Sequence, residues 1–151
     1  MTGRESREHN NLFYLCSLID YMARKTHNRR SVIVDALGQD RLAHIYELAD
    51  VYHCDNIDRV SDDFIGECKI TSGTFDNVGN CRYSIPSHWD IGKVYKRLIV
   101  MTAEHSGEKI IPALIAVYHS WICSYLDDYN GSFYYESPQL IFESYESGQI
   151  A

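Results

Sequence analysis

The sequence predicts an all-α fold, and three features carry that prediction. The first is Ile110 to Leu126, IIPALIAVYHSWICSYL, a run without Asp, Glu, Lys or Arg. In it Ile111, Leu114, Ile115, Tyr118, Ile122 and Tyr125 keep helical spacing, and Ile110, Val117 and Trp121 widen the apolar stripe. The second is a series of amphipathic repeats with helical period on either side of this run. The third is the brevity of the connections, which favours packing between consecutive helices. The expected architecture is one domain over 1–151, a bundle of about six or seven helices around the 110–126 helix, with an N-terminal half at 1–70 and a C-terminal half at 84–151.

In chain order, Leu12, Leu15, Ile19 and Met22 share one face of a helix from about Glu8 to Lys25, which ends in basic residues suited to a helix C-terminus. Ser31 or Asn28 is the expected cap of a second helix closed by Gly38. Asp40 opens a third through Tyr52 or His53, carrying Leu42, Ile45, Tyr46, Leu48 and Ala49, and Asp55 or Asn56 caps a fourth with Ile57, Val60, Phe64 and Ile65 inward. Residues 71–86 interrupt the pattern. Gly73, Gly79 and Asp76-Asn77 form turns there, so a long loop is expected in preference to a small hairpin.

Ser87 and Asp90 have the spacing of a capping box, followed by Trp89, Ile91, Val94, Tyr95, Leu98 and Ile99 on an apolar face and Lys93, Lys96 and Arg97 on the other. Ser106-Gly107 separates this helix from the 110–126 run, whose Pro112 fits a first helical turn. Ser137-Pro138 begins a last helix through about Ser147. A membrane span needs about 20 apolar residues, and Pro112, His119, Ser120 and Ser124 interrupt the run, so no membrane is expected.

Composition narrows the function classes. With 45% hydrophobic residues and three prolines the chain is globular, and a net charge of −7 disfavours direct binding to nucleic acid. Five cysteines without close pairing read as reduced, buried thiols, and the polar N-terminus MTGRESREHNN lacks a signal-peptide pattern, so the expected location is cytoplasmic. After Lys109 the chain carries Asp127, Asp128, Glu136, Glu143 and Glu146 but no Lys or Arg, and many of its twelve tyrosines lie at the same end. Tyrosine is enriched at protein interfaces. Asp127, Asp128, Tyr129, Tyr134, Tyr135, Glu136 and Glu143 are therefore the expected contact residues for a basic partner surface, the plainer reading being a solvated acidic face and a partly buried core edge.

Catalytic and metal signals are sparse. His53-Cys54, with His44 before it, lacks zinc-site spacing, and Glu67-Cys68-Lys69 with Asp62 and Asp63 carries only half of a divalent-metal nuclease signature, at a helix end instead of on strands. No metal or cofactor is expected. Arg82 and His88, in RYSIPSH just before a helix, and Arg4 and His9 resemble the Arg/His spacing of all-helical ribonucleases of the HEPN superfamily. That resemblance implies His88 in proton transfer and Arg82 on phosphate charge; the tyrosine after Arg82 departs from the polar residue preferred there.

The run LAHIYELADVYHCDNIDRVSDDFI, residues 42–65, together with NNLFYLCSLIDYMARKT, resembles a bacterial helical family of unknown function encoded beside ADP-ribosyltransferase-like toxins and in toxin-antitoxin or mobile-element neighbourhoods. The resemblance covers at most the first half of the chain and implies a non-enzymatic, antitoxin-like or inhibitory partner. A phage-encoded inhibitor of a nucleic-acid-binding protein, acting by charge mimicry, and the HEPN-like ribonuclease are the alternatives.

Overall fold

The computed structural model describes residues 3–151, with side chains from Arg7 onward. Its elements are α1 (Gly3–Thr26), α2 (Arg30–Glu47), α3 (Ala49–Tyr52), α4 (Ile57–Glu67), α5 (His88–Ser106), α6 (Ile110–Tyr118), α7 (Cys123–Leu126) and α8 (Pro138–Ser147), with one 3-10 turn at Phe133–Tyr135. Among the described residues there is no strand, so the fold is all-α and 71–86 is a loop. α3 and α7 are single turns, which leaves six longer helices.

The central element is α1, and the expectation that the 110–126 run forms the axis is corrected. From Asn11 to Asp20 every α1 residue except Phe13 is buried, and the helix packs against α2, α3, α4 and α5. Burying Leu12, Leu15, Leu18, Ile19 and Met22 completely contributes about 1.5 to 3 kcal/mol for each side chain. Its closest approach is to α5. A Cβ added at Gly92 would lie 2.8 Å from the Ser17 amide nitrogen, so only glycine lets the start of α5 sit this near the α1 backbone.

The 110–126 run does not form one helix. α6 stops at Tyr118, and His119 leaves the helical region at φ −99° and ψ 4°. The Ser120 hydroxyl (2.7 Å) and the Cys123 thiol (3.2 Å) both donate to the Val117 carbonyl, competing with the backbone for the acceptor a continuing helix needs. His119 fixes the break to α2, its Nε2 lying 2.7 Å from Asp35. The turn moves the predicted stripe off register: Ile111, Leu114, Tyr118 and Ile122 are buried, but Tyr125 is exposed.

Other ends follow the sequence with two exceptions. Asn56 caps α4, the Ser87/Asp90 capping box of α5 is complete in both directions, and Ser137 with Pro138 opens α8. Gly107 and Gly148 close α5 and α8 in the left-handed conformation, at φ 73° and 78°. Neither Ser31 nor Asn28 caps α2. Arg29 stands at that position without a side-chain cap, and the Asn28 amide donates instead to Thr26 and to the Thr71 carbonyl. Gly38, at φ 75° and ψ 163°, breaks α2 where the sequence closes its second helix; the second exception is the third predicted helix, which breaks at Leu48 before α3.

The 71–86 loop is pinned to the core. Gly73 and Phe75 donate backbone N–H groups to the Thr26 and His27 carbonyls. Farther along, Asn77 donates to the Asp127 carbonyl, Asn130 donates to the Asn80 carbonyl, and Arg82 N–H donates to Asn130. The loop thereby lies alongside the segment that joins α7 to α8.

Candidate functional site

Two places gather ionisable side chains. The first is buried, between α1, α2 and the end of α7. Asp20, on the buried face of α1, accepts from Arg24 Nε at 2.6 Å through one oxygen and from Arg30 Nε at 2.7 Å through the other. The Tyr129 hydroxyl accepts from both guanidiniums at 3.1 Å and lies 3.4 Å from Asp20 Oδ1. Arg30 is 1% exposed; burial works against its charge, and Asp20 and Asp127 more than offset that, leaving its pKa above the ordinary value. Burial likewise raises the Tyr129 hydroxyl.

Asp127 borders the same cluster. Burial pushes its carboxyl up to about 6, with Arg30 pulling the other way, and it accepts from the Tyr95 hydroxyl at 2.8 Å. The Tyr95 ring stacks on Tyr118 at 4.4 Å. This corrects the expectation for the acidic end: Asp127 and Tyr129 are core residues, and Tyr134 is also buried, so none of the three presents a free surface. Their physical reason is the turn at 119–122, which carries this part of the chain inward beneath the 71–86 loop. An adjoining cleft of about 350 Å³ holds Asp76, Asn77, Asp128 and Asn130, but its polar groups are spent on holding loops, Asp76 accepting from Gly79 N–H and Asp128 from Asn130 N–H.

Arg82 and His88 are not brought together. Arg82 is exposed, and among the described residues no hydrogen bond or ring contact joins it to His88. The His88 ring meets Tyr21 edge-on at 4.9 Å and Trp89 at 4.8 Å, with Nε2 buried and without a hydrogen-bond partner. Burial, then the nearby Arg24, holds its pKa below the usual histidine range. His9 lies on α1, and the side chain of Arg4 is outside the described residues.

The second gathering place is open. A cleft of about 250 Å³ lies between α5, the Phe133–Tyr135 turn and the start of α8. Its floor is apolar, from buried Pro86, Leu98 and Ile141 with half-buried Val94; its rim is exposed Asp90, Lys93, Arg97, Tyr135 and Glu136. Asp90 is committed to the capping box through Ser87 N–H. Lys93 and Arg97 have no ion pair or hydrogen bond among the described residues. Lys96, beside them, has its pKa lowered by burial and then by repulsion from Arg97 and Lys93. At the rim Tyr135 is 73% exposed, and outside the cleft Tyr83 is 68% exposed and Ile85 is exposed too. The contacts of Arg82 and Asn80 with Asn130 place the loop carrying Tyr83 and Ile85 next to the segment carrying Tyr135. Asp128, Tyr135, Glu136 and Glu143 are the expected contact residues that remain exposed.

Sequence reading missed the Asp20, Arg24 and Arg30 cluster because Asp20 lies about 100° round the helix from Ile19, off the apolar stripe, and only its i, i+4 spacing to Arg24 hints at a pair. All five cysteines are free, but Cys54 is exposed and only Cys16 is fully buried. Among the described residues no group of His, Cys, Asp and Glu is arranged to hold a metal ion, and no helix is long and apolar enough to cross a membrane. No family model, curated protein or solved structure matches the chain.

Proposed function

We propose that this protein is a non-enzymatic interaction module, antitoxin-like or inhibitory, that docks a basic protein surface at its C-terminal end. The observation that carries this reading is an open cleft with an apolar floor, exposed Tyr135 at its rim, and exposed Tyr83 and Ile85 on the loop that leads into its lining residue Pro86. Contiguous exposed apolar surface with a polar rim is the mark of a contact site. Glu136 on the rim, with Asp128 and Glu143 in the same segment, supplies exposed negative charge where the chain has no Lys or Arg after Lys109. The separation of Arg82 from His88 favours this over the ribonuclease reading.

The test is cross-linking and mass spectrometry in native cells with the parent chain and an Asp128→Lys, Glu136→Lys, Glu143→Lys variant. Retained helicity and thermal midpoint with loss of one basic partner supports the reading, and an unchanged partner set refutes it. Competition of the captured partner with DNA or RNA separates charge mimicry from antitoxin-like binding.

A further inference from the structure

We propose that the cleft between α5 and α8 is a binding site for a small organic ligand with an apolar body and one carboxylate. The inference goes beyond the partner reading and does not depend on it. Two observations combine. The cleft is concave with a buried apolar floor of Pro86, Leu98 and Ile141, which favours a ring or short acyl chain over a solvated ion. Two cations one helical turn apart, Lys93 and Arg97, stand on its rim with no ion pair among the described residues, in a chain whose net charge is −7. Like charges at this spacing repel, so an anion that bridges them gains twice, by attraction and by relieving that repulsion.

The remaining lining charges select the kind of anion. Asp90 is held by Ser87, and Glu136 stands on the same rim as an uncompensated negative charge. Glu136 penalises a dianionic phosphate more than a single carboxylate, and the planar fork of Arg97 matches a carboxylate in two-pronged geometry. The exposed Tyr135 ring at the mouth provides a face for an aromatic body. At about 250 Å³ the space suits one ring or a short chain, not a nucleotide.

Binding is measured on the isolated protein by amide NMR titration with 3-phenylpropanoate and octanoate, with 3-phenylpropanamide as the uncharged control. The expected result is saturable shifts confined to Val94, Leu98, Tyr135 and Ile141, at least tenfold weaker for the amide and for the exposed-site variant Lys93→Gln, Arg97→Gln. Glu136→Gln is expected to tighten carboxylate binding severalfold. The proposal is overturned if neither carboxylate gives saturable shifts at these residues, if the amide binds as well, or if Glu136→Gln weakens carboxylate binding, since neutralising a negative charge on the rim must favour an anion held by Lys93 and Arg97. An unchanged partner set in the Asp128→Lys, Glu136→Lys, Glu143→Lys variant, with carboxylate binding by the parent chain intact, refutes the partner reading alone.

Discussion

The two groups of charges differ in one respect that decides their roles. Around Asp20 every charged group has a partner: Asp20 faces Arg24 and Arg30, and Tyr129 joins the two guanidiniums. Along the α5 to α8 cleft Lys93 and Arg97 have none among the described residues. Both regions draw on the same acidic, tyrosine-rich end of the chain, so composition does not distinguish them. Burial with complete pairing marks a group that holds the fold, and exposure with open pairing marks one that is available to a ligand.

That contrast is broken most directly at Asp20. Asp20→Asn leaves two guanidiniums, one of them 1% exposed, without their shared counter-charge. Removing one partner of a buried ion pair costs about 3 to 5 kcal/mol, so urea unfolding is expected to show a loss of that order. A loss below about 1 kcal/mol would mean that water reaches the cluster and that it is no more closed than the cleft.

Asp127 comes next, and its sign is opposite. Its folded carboxyl is pushed up to about 6 from an ordinary 3.8. Between those values the folded state keeps a proton that the unfolded chain has released, so this group's contribution to stability falls as pH rises from about 4 to about 6. Above that range the deficit is complete, at about 3 kcal/mol. Asp127→Asn is expected to be less stable than or equal to the parent near pH 4 and more stable above pH 6.5, with the difference tracking the titration. Parallel stability profiles for the two proteins would show that Asp127 is solvated after all.

Tyr129→Phe removes a hydroxyl that accepts from two arginines, and the expected cost is about 1 to 3 kcal/mol by denaturant unfolding, smaller than that of Asp20 because the carboxylate remains. These three residues also show how far the sequence reaches. Helical class, the Ser87/Asp90 box and the Ser137-Pro138 start are local in origin, set by side chains within a turn of the groups they satisfy, and they are legible. The burial of Asp127, Tyr129 and Tyr134 is not local. It depends on a break at 119–122 made by Ser120 and Cys123 competing for one carbonyl, and on Asn77 and Asn130 holding a loop over the result. The apolar period of 110–126 reads equally well as one long helix, so the inward turn of the acidic end left no trace in spacing. The cleft was half legible: Lys93, Lys96 and Arg97 stand out as a basic strip, but their adjacency to Tyr135 and Glu136 arises only when α8 packs on α5.

The smallest expected effect is at the cleft itself and completes the contrast. Lys93 and Arg97 are like charges at i and i+4 on α5, a spacing that destabilises a helix by about 0.2 to 0.5 kcal/mol. Replacing both with Gln is expected to leave unfolding unchanged or to raise stability by that amount, more at low salt than at high salt because exposed charges are screened. The same double change abolishes a charge pair's worth of field at the cleft rim while costing the fold nothing, the reverse of Asp20→Asn. If it instead destabilises the protein by 1 kcal/mol or more at every salt concentration, these cations have folded-state partners and the cleft belongs with the closed cluster.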